Sequence, residues 1–159
     1  VNLSREQTYE ILKQPIQSDF LGNEKAFEAH LVEHLEEIND MLNLSKITAI
    51  GQQKQIRFQG SQIIMDILTR HEDGSATIYE VKKPNSKNAH TSPFAQMSAI
   101  GQLLLYQNVF QHKTSTKPRL VLADNKIHLR TFMAFEGNDL PITLLEFQKN
   151  QIFIPYRAF

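Results

Sequence analysis

The stretch from Ile63 to Lys83, IIMDILTRHEDGSATIYEVKK, constrains the fold more than any other part of the chain. It reads as two strands joined by a tight turn. The first strand is apolar, with Ile63, Ile64, Met65, Ile67 and Leu68 around one charge, Asp66. His71-Glu72-Asp73-Gly74 supplies the turn, and Asp-Gly between two strand-like runs is a hairpin signal. The second strand runs from Ala76 to Lys82 and ends in Glu80-Val81-Lys82. Desolvating a carboxylate in the middle of an apolar strand is costly, so Asp66 needs a compensating role. Glu80 and Lys82 are two apart and project from one face of their strand. Pairing across the turn brings Asp66 beside them. Two carboxylates converging with a lysine suit a hard divalent cation and a water molecule.

The helix expected before this hairpin, Glu24 to Asn39 with Asn23 as N-cap, carries further carboxylates. Its apolar stripe is Phe27, Leu31, Leu35 and Ile38. With Phe27 at zero on a wheel of about 100° per residue, Leu31, Ile38 and Leu35 fall at about 40°, 20° and 80°. Glu24 falls inside the stripe at about 60°, and Glu28 on its edge at about 100°. An inward glutamate must find a partner or a metal. For Glu24 an equally strong alternative is stabilisation of the helix N-terminus, where negative charge is favoured. His30 and His34, four apart on the same helix, read as ordinary helix residues, because no third zinc ligand is evident.

Further along, Ser4 to Lys13 suits a short helix with Gln7 at the capping-box position, stopped by Pro15. Lys46 to Phe58 reads as a strand bent at Gly51. Pro84 ends the hairpin, and a polar loop carries Lys87 and His90. Ser92-Pro93 opens a helix to about Gln111, with apolar Phe94, Met97, Ile100, Leu104, Leu105, Val109 and Phe110 at helical spacing. Gln102 and Tyr106 share another of its faces. Arg119 to Asp124 is a short buried strand, so strand, helix and strand form a βαβ crossover. Ile127 to Phe135 suits either strand or helix. Leu144–Phe147 and Gln151–Tyr156 read as a hairpin around Lys149-Asn150.

Asp66, then Glu80-Val81-Lys82, resembles the PD-(D/E)xK nuclease superfamily. The nearest likeness is to small restriction-endonuclease-like and mismatch-type repair endonucleases. Gln102-Leu103-Leu104-Leu105-Tyr106 is similar to the Gln-x-x-x-Tyr helix motif of the exonuclease-like branch. The family's usual Pro before the first Asp is replaced by Met65. The resemblance spans roughly residues 22 to 124. It implies an α/β fold, a restriction-endonuclease-like mixed β-sheet flanked by helices. One nuclease-like domain would fill residues 1–159, with its core at about 22–124 and a β-rich extension at 125–159.

The implied activity is phosphodiester hydrolysis, most naturally by an endodeoxyribonuclease, with Mg²⁺ or Mn²⁺ as cofactor. Asp66 and Glu80 would hold the metal, and the resemblance adds the backbone carbonyl of Val81. Lys82 would act on the attacking water and the phosphate. Glu24 or Glu28 would complete the metal's shell. Gln102 and Tyr106 would position the nucleic-acid strand, the bland alternative being a helix-surface glutamine and a core tyrosine. Lys83 and Lys87 lead a set of candidate phosphate contacts that includes His90, Lys113, Lys117 and Arg119. A catalytically inactive nucleic-acid-binding or partner-binding module is the competing reading.

Charge distribution fits a nucleic-acid partner. The net charge is zero, yet residues 80–130 hold eight Lys and Arg against two Asp and Glu. The chain has no cysteine, which excludes disulfides and cysteine-based zinc sites and fits a reducing, cytoplasmic setting. No apolar run approaches membrane-spanning length, so no membrane partner is expected. A homodimer or a fusion to another domain is compatible with all of this.

Overall fold

A computed structural model describes residues 3–14, 23–82, 93–148 and 151–159. One six-stranded mixed sheet organises them, with its strands in sequence order. Strands β1 (Ile47–Phe58), β2 (Ser61–His71) and β3 (Ala76–Lys82) form an antiparallel meander. Strands β4 (Arg119–Asp124) and β5 (Ile142–Gln148) then join in parallel, and β6 (Gln151–Tyr156) closes the far edge antiparallel to β5. The β2–β3 connection is the expected tight one: Gly74 takes φ +86°, and its N–H donates to the carbonyl of His71. Asp73 braces it by accepting from the backbone and hydroxyl of Ser75.

Helices cover both faces. On one side lie α1 (Arg5–Lys13), α4 (Pro93–Thr114) and α5 (Leu129–Glu136), packed on Met65, Leu68, Ile78, Leu120, Leu122 and Leu144. On the other lie α2 (Glu24–Glu33) and α3 (Leu35–Met41), packed on Ile67, Tyr79, Val81, Val121 and Leu145. The central strands β3, β4 and β5 are buried on both faces, which explains their near-continuous apolar sequence. This is an open α/β architecture of the restriction-endonuclease-like type.

Local signals account for much of it. Ser4 and Gln7 form the capping box of α1, and Asn23 caps α2 through the N–H of Ala26. The segment left open between strand and helix is helical, as α5, because Thr131, Phe132 and Phe135 fall at helical spacing on its buried face.

Three expectations are corrected. The helix expected from Glu24 to Asn39 is two helices that break at His34. The irregularities of β1 are not at Gly51: its register shifts between Ile47 and Ala49, and Gln53 takes φ +50°. The apolar face chosen for α4 is largely the wrong one. Phe94, Met97, Leu104 and Leu105 are exposed, while Gln96, Ala99, Leu103, Tyr106, Val109 and Phe110 are buried. Apolar residues surround this helix on every side, so spacing alone could not select the face that meets the sheet. Lys83, Lys87, His90, Pro84, Ser92 and the Lys149-Asn150 turn lie outside the described residues.

Candidate active site

Strand β2 breaks its own periodicity at Asp66. Met65 and Leu68, three apart, pack in the same core, whereas Ile67 packs in the opposite one. An ideal strand alternates faces every residue, so a kink lies between Met65 and Leu68. The facing strand follows it: Lys54 pairs with Met65 and Gln52 with Ile67, which sets Gln53, with its left-handed backbone, opposite Asp66. A non-glycine residue in that conformation stores strain and is concentrated at functional positions.

The kink aims Asp66 at the end of β3. The β2–β3 register runs from Arg70↔Ala76 to Ile67↔Tyr79. Just past that last pair, Asp66 Oδ2 accepts the backbone N–H of Val81 at 2.8 Å. The carboxyl groups of Asp66 and Glu80 lie within hydrogen-bonding reach of each other. Lys82 Nζ lies 3.5 Å from Glu80 Oε1. Tyr79 and Val81 point into the α2–α3 core, so Glu80 and Lys82 project from the opposite face.

Glu28 joins from α2. Its Oε1 accepts from Gln53 Nε2 at 2.8 Å, and the same amide nitrogen lies 3.2 Å from Asp66 Oδ1. Gln52 reaches Glu28 Oε2 at 3.4 Å. Glu28, not Glu24, is the buried member of the pair. The wheel gives an angle about the axis but not a height along it. Glu28 is level with Gln53, whereas Glu24 sits one turn earlier and is felt at Glu28 as a neighbouring charge.

Electrostatically the cluster is overloaded with carboxylates. Burial, then the charge of Asp66, pushes Glu80 up to about 8, with Lys82 only partly offsetting them. Glu28 is also raised, by burial and then by Asp66. Tyr106, an 8% exposed member of the core, is pushed up to about 12, by burial and then by Glu80 and Asp66. Its ring therefore fills the core within electrostatic range of the carboxylates. Gln102 is not the surface residue of the bland reading: it is half-buried, and its carbonyl oxygen has no partner.

This donor set suits a hard divalent cation. Glu80 Oε2 is buried without a hydrogen-bond partner, beside a second carboxylate and with a third nearby. Oxygen-only donors with net negative charge match the preferences of Mg²⁺ or Mn²⁺. A separate group, His30, Glu33 and His34, brings one ligand atom from each residue within 4.8 Å of the others.

Two of the described basic residues of this stretch lie away from the carboxylates. Arg119 starts β4 and pairs with Thr77, at the opposite end of the parallel strands from Lys82. Lys126 is buried and paired with Glu146. Lys113, one of the expected contacts, lines a groove with Lys54, Arg57 and Arg70, which also has Leu68 and Phe110 and no carboxylate among its lining residues. Arg70 stacks over the Phe110 ring. Sequence reading missed this groove because its cations come from three separate elements. It missed Gln53 as well; the signal was the polar run Gln52-Gln53-Lys54-Gln55 inside a strand.

No protein-family model matches this sequence, and no curated protein does. Solved structures do share the fold. A repair endonuclease from Pyrococcus abyssi is 18% identical, with a TM-score of 0.50 over 75% of this chain and 46% of that one. Can2 from Sulfobacillus thermosulfidooxidans, in complex with cyclic tetra-adenylate, is 13% identical, with a TM-score of 0.52 over 91% of this chain and 42% of that one. This chain thus spans less than half the length of either protein.

Proposed function

We propose that this chain is a divalent-metal-dependent nuclease that hydrolyses phosphodiester bonds in DNA. The observation that carries the reading is the meeting of Asp66, Glu80 and Lys82 beside a buried, unpartnered carboxylate oxygen. A domain that only binds nucleic acid gains nothing from carboxylates that repel phosphate. The fold shared with a repair endonuclease adds support.

Asp66 and Glu80 would hold Mg²⁺ or Mn²⁺, with the Val81 carbonyl and Glu28 as further donors. A bound ion of this kind lowers the pKa of coordinated water and offsets charge growing on the phosphate. The residues of the chain do the rest. Val81 fixes Asp66 through its N–H, so the carboxylate loses little freedom on binding. Gln53 holds Glu28 and Asp66 at a set spacing. Lys82, poised on Glu80, orients the attacking water and donates to the phosphate oxygen that gains charge. Tyr106 and Gln102 border the scissile group. Lys54, level with Met65 across the β1–β2 pair, would lead a phosphate track that runs away from the carboxylates along the groove of Arg57, Arg70 and Lys113, towards the Ala76 end of β3. Lys83 and Lys87 remain proposed contacts from the segment that follows Lys82.

The test is cleavage of single-stranded, double-stranded and branched DNA, and of RNA, with Mg²⁺ or Mn²⁺. Wild type is expected to cut DNA, and Lys82→Ala to lose at least 100-fold in rate, in line with removal of a charge-stabilising donor. Metal-independent cleavage, or full activity of Lys82→Ala, contradicts the proposal.

A further inference from the structure

Helix α2 ends at Glu33 with neither proline nor glycine to end it. Kinks without those residues arise where a side chain inserts into the hydrogen-bond ladder. Here the insertion is His34. In a continuous helix its backbone N–H would donate to the carbonyl of His30. That N–H goes instead to the carbonyl of Leu31, and the imidazole Nδ1 takes the carbonyl of His30 at 2.9 Å. His34 then has φ −110° and ψ 11°, and α3 starts at the next residue.

The insertion has a chemical consequence. A carbonyl only accepts, so Nδ1 must carry the proton. Nε2 is left as the lone-pair donor. Metal-bound histidines are held in this way, with the second ring nitrogen donating to a carbonyl that fixes tautomer and orientation. The His30 ring lies 4.7 Å from that of His34, and both pack against Phe147, at 5.2 and 5.1 Å between centroids. Phe147 is buried, so it walls one side of the pair. Glu33 supplies a carboxylate oxygen 3.9 Å from His30 Nδ1.

We propose that His30, Glu33 and His34 form a binding site for a transition-metal dication, Zn²⁺ foremost, separate from the Asp66–Glu80 centre. Two imidazoles and a carboxylate suit Zn²⁺ and its neighbours and disfavour Mg²⁺. Ligand atoms within 4.8 Å must close to roughly 3.4 Å around a tetrahedral ion with metal–nitrogen distances of about 2.1 Å. The exposed Glu33 side chain and the half-buried His30 ring would have to supply that closure. His34 is already set by its bond to the backbone. Three protein ligands leave a fourth position for water. The ion would pin the α2–α3 junction. The inserted imidazole explains the break locally, and the metal gives that insertion a use.

The inference stands independently of the nuclease reading. Zn²⁺ binding is measured by calorimetry in excess Mg²⁺, which occupies hard-oxygen sites, and Co²⁺ binding by its visible spectrum. Wild type and Asp66→Asn are both expected to bind one Zn²⁺ with micromolar or tighter Kd and to give a tetrahedral Co²⁺ band. His30→Ala preserves the backbone carbonyl that His34 uses, so the fold should persist by circular dichroism. It should weaken Zn²⁺ binding at least 30-fold, and Glu33→Gln about tenfold. Zn²⁺ binding unchanged by His30→Ala, abolished by Asp66→Asn, or only millimolar in wild type overturns the proposal.

Discussion

The backbone N–H of Val81 donates to Asp66 Oδ2 at 2.8 Å, just past the last pair of the β2–β3 register, Ile67↔Tyr79. The side chain of one strand thus takes the place of a backbone carbonyl in the ladder of the next. Asp66 is thereby tied to the strand that carries Glu80 and Lys82. The same bond keeps two like charges close, and several consequences can be measured.

Glu80 makes apo stability fall as pH rises. Its carboxyl is held at about 8 in the fold, against about 4.5 unfolded. The folded state therefore binds the proton more tightly. This contribution is fully present below about pH 4.5 and is lost as pH climbs towards 8, on the order of a few kcal/mol. Melting temperatures of metal-free wild type and Glu80→Gln should diverge across that window, with the variant the steadier protein at pH 8. Parallel curves would contradict the raised carboxyl.

Gln53 separates Glu28 from Asp66. Gln53→Ala should cost about 1–2 kcal/mol of apo stability, since both carboxylates lose a donor. Gln53→Gly should cost less, because glycine accepts the φ of +50° without strain. Denaturant melts of the two variants, with equal m-values, check the order. A destabilised Gln53→Gly beside a wild-type-like Gln53→Ala would remove the bridging role.

The basic groove should act uniformly on DNA of any sequence. Arg70→Ala and Lys54→Ala should each weaken binding without changing sequence preference. Each should also reduce the slope of log K against log salt by about 1. Binding titrations at several salt concentrations, in the Asp66→Asn background to prevent cutting, decide it. Slopes identical to the parent would exclude the groove as a phosphate track.

The hairpin and its charges were readable because their signals are local: an Asp-Gly turn and an alternation that puts Glu80 and Lys82 on one face. Caps at Ser4 and Asn23 were readable for the same reason. Most of what could not be read depends on contacts distant in sequence. The buried face of α4 is chosen by the sheet, not by the spacing of Phe94, Met97 or Leu105. The burial of Glu28 depends on Gln53 meeting it from another element. The break at His34 depends on a side chain displacing a backbone bond, which leaves no mark in apolar spacing. Arg119 looked like part of a basic patch only because strand direction, which sends it to the far end from Lys82, is invisible in a charge count.

The most direct test is Asp66→Asn, assayed for Mg²⁺-dependent DNA cleavage alongside apo melting temperature. An asparagine can still accept the Val81 N–H, and it removes one of the clustered negative charges. Cleavage is expected to fall at least 100-fold, with apo stability equal to wild type or higher. Cleavage at the wild-type rate would contradict the metal-site assignment, and a large loss of apo stability would make Asp66 a structural charge.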